Sequence, residues 1–326
     1  MAFHDIAGNS RVKKVLQLSL KRGRVPNSVL FGGPEGVGKR QTALVLAKAL
    51  NCLKKTEDAC EECSSCRAIN EGNFPDVIEI VAVGDIIKVD QMPIVKQLAY
   101  LKPMTGKRRV FIIDEAEKMN EESANSILKV LEEPPLFTHI LLISDNPASL
   151  LQTVKSRCQT LNFSPVSKDE IEKALRGAGY EEDRARIIAL LVRGNLEQAL
   201  DLEWEDVSKR RQEAWELFCG LVSRGESSAF LRKFAFQKRA MVREELEQTL
   251  ELFSSFCRDV VLMKETGEPT LLFNPDYEGR IRESEKFLTR EQTLSLLDWI
   301  DGAIMSLNRS LNIGLLTSAL YSRMTG

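Results

Sequence analysis

The sequence lacks a charge imbalance: 45 basic and 47 acidic side chains leave a net charge of −2 over 326 residues. That argues against an autonomous nucleic-acid binder, whose affinity comes mainly from neutralising phosphates. It leaves open DNA contact as part of a larger assembly. No apolar run is long enough to span a bilayer. The start, Met1-Ala-Phe-His-Asp-Ile, has neither the basic beginning nor the apolar stretch of a signal peptide, so the expected compartment is the cytoplasm. Internal repeats and low-complexity tracts are also absent. Cysteine is not scarce: there are seven, an odd number, and four lie between positions 52 and 66. In a cytosolic chain such clustering points to metal rather than to disulfides. Hydrophobic content of 43% supplies a core of ordinary size, and the length suggests two or three domains.

The first half alternates. Short apolar runs at Asn27–Phe31, Val77–Val83, Arg109–Glu115, Thr138–Ser144 and Cys158–Phe163 read as strands. Between them, Gln41–Leu50, Gln91–Leu101 and Glu121–Leu131 have helical spacing, the last stopped by Pro134 and Pro135. Five strands separated by helices predict an α/β fold with a parallel sheet and crossover helices. After Pro165 no strand is evident. Helical patterns cover Lys168–Leu202 and then Trp204 to the end, with an interruption from Gly267 to Gly279. The expected organisation is an α/β domain over 1–164, a helical lid over 165–207 and an all-α domain over 208–326.

Gly33-Pro34-Glu35-Gly36-Val37-Gly38-Lys39 follows a predicted strand and precedes a predicted helix, the setting of a phosphate loop. Gly33, Gly36 and Gly38 let backbone N–H groups curl around phosphate oxygens, and Lys39 adds a point charge. The residue after that lysine is normally Ser or Thr, whose hydroxyl ligates Mg²⁺. Here it is Arg40, which cannot ligate a cation and would repel one. Thr42 is no substitute, because two residues along a helix point to a nearly opposite side. Binding of ATP and Mg²⁺ is therefore in doubt. Asp114-Glu115 ends the third apolar strand, where a Walker B aspartate meets the metal and a glutamate orients water. Strand ends often carry Asp-Glu simply as turn residues, so alone the pair is a weak signal; paired with the phosphate loop it is a strong one.

Cys52-x7-Cys60-x2-Cys63-x2-Cys66 offers four thiolates within a 15-residue module, 52–66, and tetrahedral Zn²⁺ takes four sulfur ligands. Four ligands close the coordination shell, so the expected role is structural. Cys158, Cys219 and Cys257 stand apart and read as ordinary buried residues. Ser156-Arg157-Cys158 precedes the last strand, and by chemistry alone Arg157 is a loop arginine paired with a carboxylate or with solvent.

These motifs together resemble the clamp-loader branch of the AAA+ ATPases. The resemblance runs from about Phe3 to Leu202. It rests on the phosphate loop, the cysteine module, Val110–Glu117, Ser126-Ile-Leu-Lys-Val-Leu-Glu-Glu-Pro-Pro135 and Ser156-Arg157-Cys158. It implies a place among gamma/tau and delta subunits in a hetero-pentamer that loads a sliding clamp onto primed DNA for DNA polymerase III. It also implies that Arg157 is an arginine finger acting on a neighbouring subunit's ATP. The family's motor subunits keep Thr or Ser after the loop lysine and a sensor arginine in a Gly-Ser-x-Arg pattern. Here the matching stretch is Gly194-Asn195-Leu196-Glu197, with glutamate in the arginine's place. The implied function is a stator-type subunit with a degenerate nucleotide site and a collar-type C-terminal domain. The alternative is an active gamma/tau-like ATPase.

Overall fold

The computed structural model describes residues 1–54, 57–84, 86–222 and 241–307, with Phe234 and Ala319. The helical expectation for 223–233, 235–240, 308–318 and 320–326 lies outside the described residues. The chain divides into two compact units, one of residues 1–174 with 193–200, the other of 175–192 with 201–326.

In the first unit the order is α1 (Ser10–Lys21), β1 (Ser28–Gly32), α2 (Lys39–Asn51), α3 (Ser64–Asn70), β2 (Val77–Ile80) and α4 (Pro93–Leu98). There follow β3 (Arg109–Ile113), α5 (Glu121–Glu132), β4 (Thr138–Ser144), α6 (Gln152–Lys155) and β5 (Gln159–Asn162). The five strands form one parallel sheet in the order β2-β3-β4-β1-β5, so the expected fold class is the one observed. β1 is sandwiched, Val29 lying between Leu141 of β4 and Gln159 of β5. Its residues Val29, Leu30 and Phe31 are fully buried, as are Val110, Phe111 and Ile113 of β3. Apolarity on both faces is what a parallel sheet covered by helices requires.

Three local features differ from the sequence reading. α1 has no clear mark in the sequence pattern, although Val12 and Leu16 are buried four residues apart. β2 ends at Ile80, because Val83 turns back to bridge Ile86. The helix expected over Gln91–Leu101 is regular only over Pro93–Leu98, starting at the proline that suits a first turn.

The remaining helices are α7 (Lys168–Gly177), α8 (Glu182–Leu191), α9 (Leu196–Asp201), α10 (Trp204–Val222), α11 (Met241–Thr266), α12 (Glu278–Ser284) and α13 (Arg290–Leu307). No strand follows β5 among the described residues. In the second unit α11 packs against α10, α12 and α13. Trp215 stands edge-on to Phe256 at 4.8 Å and to Tyr277 at 5.4 Å, anchoring an aromatic core. The Gly267–Gly279 interruption is ordered by buried polar groups. Asp259 accepts from the Phe273 and Asn274 N–H groups at 2.7 and 2.8 Å, and buried Arg211 grips Asp276 through two nitrogens at 2.9 Å.

Candidate functional site

The loop after β1 leaves the carboxyl edge of the sheet and feeds the amino end of α2, where backbone N–H groups lack helical partners. Two of its glycines are sterically required. A Cβ on Gly33 would lie 2.4 Å from the Phe163 carbonyl oxygen. One on Gly36, whose φ is +67°, would meet the Asn195 side chain at 1.7 Å. The Gly194–Glu197 stretch thus lies directly on the loop: the Leu196 N–H donates to the Gly36 carbonyl at 2.9 Å, and Gln41 of α2 donates to the Glu197 carboxylate. Glu197 stands beside the phosphate loop.

The loop's cations are engaged by the chain's own groups. Lys39, buried, donates to the carbonyls of Gly33, at 2.8 Å, and Pro34, and pairs with Asp145 at 2.7 Å. Arg40 reaches across to Glu79 of β2 at 2.6 Å and to Asp114 at 3.5 Å. Its guanidinium therefore pairs with the carboxylate that follows β3. Burial pushes the Asp114 carboxyl upward, against the Glu115 N–H and the Arg40 charge. Glu115, in a left-handed turn, pairs with Lys118 at 2.6 Å. Thr42 is fully buried and its hydroxyl donates to the Gly38 carbonyl at 2.7 Å.

Two members of this cluster were not anticipated. Asp145 follows the last residue of β4 and is held by a 3.1 Å bond from its N–H to Glu117. A polar residue ending the apolar strand beside β1 was the available signal, the same one that marked Asp114. Glu79 carried no signal, since a carboxylate within a short strand ordinarily marks only its solvent face.

The four cysteines of the module converge, their sulfurs all within 4.8 Å of one another. A tetrahedral Zn–S₄ centre with 2.3 Å bonds needs sulfurs about 3.8 Å apart, and Cys60 and Cys66 stand at 3.9 Å. The N–H groups of Cys63 and Cys66 point at the sulfurs of Cys60 and Cys63, each at 3.4 Å, as donors to thiolates do. The donor set fits zinc. Behind it, buried Lys48 of α2 donates to Glu61 at 2.5 Å and to Asn70 at 2.8 Å, fastening the module to the sheet's helices. Of the other cysteines, Cys257 is buried, while Cys158 and Cys219 are half-buried rather than enclosed.

Arg157 lies at the other end of the sheet. It lies two residues before β5, an edge strand, and the tripeptide closes a turn in which the N–H groups of Ser156, Arg157 and Cys158 donate to residues 152, 154 and 155. Cys158 packs against the hydrophobic core of the sheet, and burial raises its thiol to about 12. Ser156 bonds back to the Thr153 carbonyl at 3.2 Å. With both neighbours tied down, the arginine stays part-exposed, lying against the ends of α5 and α6. Its Nε donates to Glu132 and its Nη1 to the Thr153 carbonyl, each at 3.0 Å.

A phosphate loop following β1, carboxylates at the ends of the adjacent strands and the order β2-β3-β4-β1-β5 define a P-loop domain of the AAA+ class. A family model described as DNA polymerase III, delta subunit, matches residues 8–167. The DNA polymerase III subunit delta' of Bacillus subtilis is 31% identical over 264 residues, covering 81% of this chain and 80% of that protein. The chain belongs to this delta-prime family. It is also 33% identical over 207 residues to the DNA polymerase III subunit tau/gamma of Haemophilus influenzae, spanning 30% of that longer protein. A gamma subunit-related protein of Thermotoga maritima is a solved structure 20% identical to it, with a TM-score of 0.41 over 96% of this chain and 98% of that one.

Proposed function

We propose that the protein is a stator-type subunit of the DNA polymerase III clamp loader, and that Arg157 completes the ATP site of an adjacent motor subunit. One observation carries the reading. Arg157 sits at the amino end of β5, whereas the chain's own phosphate loop leaves the carboxyl end of β1, paired in parallel with β5. A strand of that length separates the two by about 15 Å, so a phosphate gripped by this arginine belongs to another subunit. Membership of the delta-prime family and the likeness to tau/gamma proteins support gamma/tau and delta subunits as partners, with sliding clamp and primed DNA engaged through the assembly. Residues 1–164, 165–207 and 208–326 serve as AAA+ domain, lid and collar domain. Polymerisation resides in other subunits. The test is to reconstitute the loader with Arg157→Ala and measure clamp- and DNA-stimulated ATP hydrolysis; an unchanged rate overturns the reading.

The chain's own site is assigned no hydrolysis, because Arg40 occupies the carboxylate that would hold Mg²⁺ and Glu197 repels a γ-phosphate. Calorimetric titration of the isolated chain with Mg·ATP is expected to give no micromolar binding. In Arg40→Thr, Asp114 and Glu79 lose their cation. Mg²⁺ is then expected to raise the melting temperature of the variant and to leave that of the native chain unchanged. Micromolar Mg·ATP binding with turnover by the native chain would favour the gamma/tau-like alternative.

Zn²⁺ held by Cys52, Cys60, Cys63 and Cys66 is assigned a structural role, tying the chain between α2 and α3 into one cross-link. Metal analysis is expected to give about one Zn per chain. Cys63→Ser is expected to lower both metal content and melting temperature; a metal-free protein of undiminished stability would refute the assignment.

A further inference from the structure

We infer that Glu132 is the positioning residue for Arg157, which gives the Leu-Glu-Glu-Pro-Pro motif a part in the neighbour's ATP hydrolysis; this rests on the trans-arginine reading above. Two motifs 25 residues apart meet here: Glu132 Oε2 accepts from Arg157 Nε at 3.0 Å. The helix ends at this glutamate for a local reason. Pro134 has no N–H and forces Glu133 out of helical conformation, to φ −128° and ψ 61°. Glu132 is thereby the last helical residue of α5, and its carboxylate joins the negative pole of that helix. The guanidinium lies against the end of α5 and is held on its second side by the Thr153 carbonyl of α6.

The atoms engaged are Nε and Nη1, and Nη2 makes no hydrogen bond among the described residues. A planar fork held through Nε and Nη1 fixes the orientation of Nη2, the nitrogen left to reach a phosphate oxygen. Folding does not need this pair. Glu132 is 58% exposed and Arg157 30%, and ion pairs so accessible contribute little to stability. What the pair supplies is aim, and small displacements of a catalytic group cost rate out of proportion to their size.

The experiment uses the assembled loader, comparing Glu132→Gln, Glu132→Asp, Arg157→Ala and the double variant Glu132→Gln/Arg157→Ala. Glu132→Gln is expected to lower kcat of stimulated ATP hydrolysis about tenfold, with KM for ATP and the extent of assembly unchanged. Glu132→Asp is expected to recover part of that loss. The double variant is expected to be no slower than Arg157→Ala alone, since an aiming residue has nothing left to aim. If Arg157→Ala is impaired while Glu132→Gln retains native kcat, or if the two losses multiply, the inference fails and the trans-arginine reading stands. If Arg157→Ala is itself unimpaired, both fall.

Discussion

Asp76→Ala is expected to destabilise the α/β unit by about 3–5 kcal/mol, the range for breaking a buried ion pair by removing one partner. Asp76 is fully buried just before β2, and Arg109, at the start of β3, is 2% exposed. The carboxylate accepts from Arg109 Nη2 and from the N–H groups of Met104, Thr105 and Gly106, all at 2.8 Å. Arg109 also donates to the carbonyls of Leu98 and Leu101 at 2.7 and 3.0 Å. One carboxylate thus fixes the turn before β3, the end of α4 and the β2–β3 edge. Alanine leaves three N–H groups and a guanidinium inside without an anion. For a unit of this size the melting temperature should fall by roughly 10 °C, measurable by calorimetry. A fall of under about 1 kcal/mol would mean that water replaces the carboxylate.

The same contacts predict part of the acid response. Although burial works against it, the N–H groups of Gly106, Thr105 and Met104 and the Arg109 charge hold Asp76 down at about 2, below its ordinary 3.8. A depressed carboxyl contributes stability that is present above pH 3.8 and lost as pH falls through 2, here about 2 kcal/mol. His139 acts earlier. Burial lowers it from 6.5 to about 4, against a 3.0 Å contact with the Pro26 carbonyl. The unfolded chain then binds a proton that the folded one refuses, so stability declines from pH 6.5 towards 4, by about 3 kcal/mol. His139→Gln should flatten this upper window, and Asp76→Asn the lower one.

Arg157→Ala is expected to cost the reconstituted loader between about 10³- and 10⁵-fold in stimulated ATP hydrolysis, the range for an arginine finger supplied in trans. The variant should assemble normally, since Cys158 and Ser156 keep their places in the turn without the guanidinium. Arg157→Lys is expected to recover little, because an ammonium lacks the planar fork. A twofold loss with normal assembly would assign Arg157 to a structural ion pair with Glu132 and nothing more.

Sequence by itself determined the order of strands and helices, the phosphate loop, the cysteine cluster and the loss of the metal hydroxyl at Arg40. Each is written in neighbouring residues, in a two- or 3.6-residue period, or in one position of a fixed-length motif. It did not reveal α1, whose two buried residues form a thin apolar stripe in a basic helix. Nor did it show where the charges go. Which carboxylates take Lys39 and Arg40, why Gly36 tolerates no side chain, and what holds Arg157 were decided by tertiary structure. Asp145, Glu79, Asn195 and Glu132 stand 106, 39, 159 and 25 residues from their partners. Such distances close only when strand order and register are set, and no local pattern encodes either. Arg40 could be read as the loss of a ligand; only the folded sheet turns it into the cation that holds Asp114.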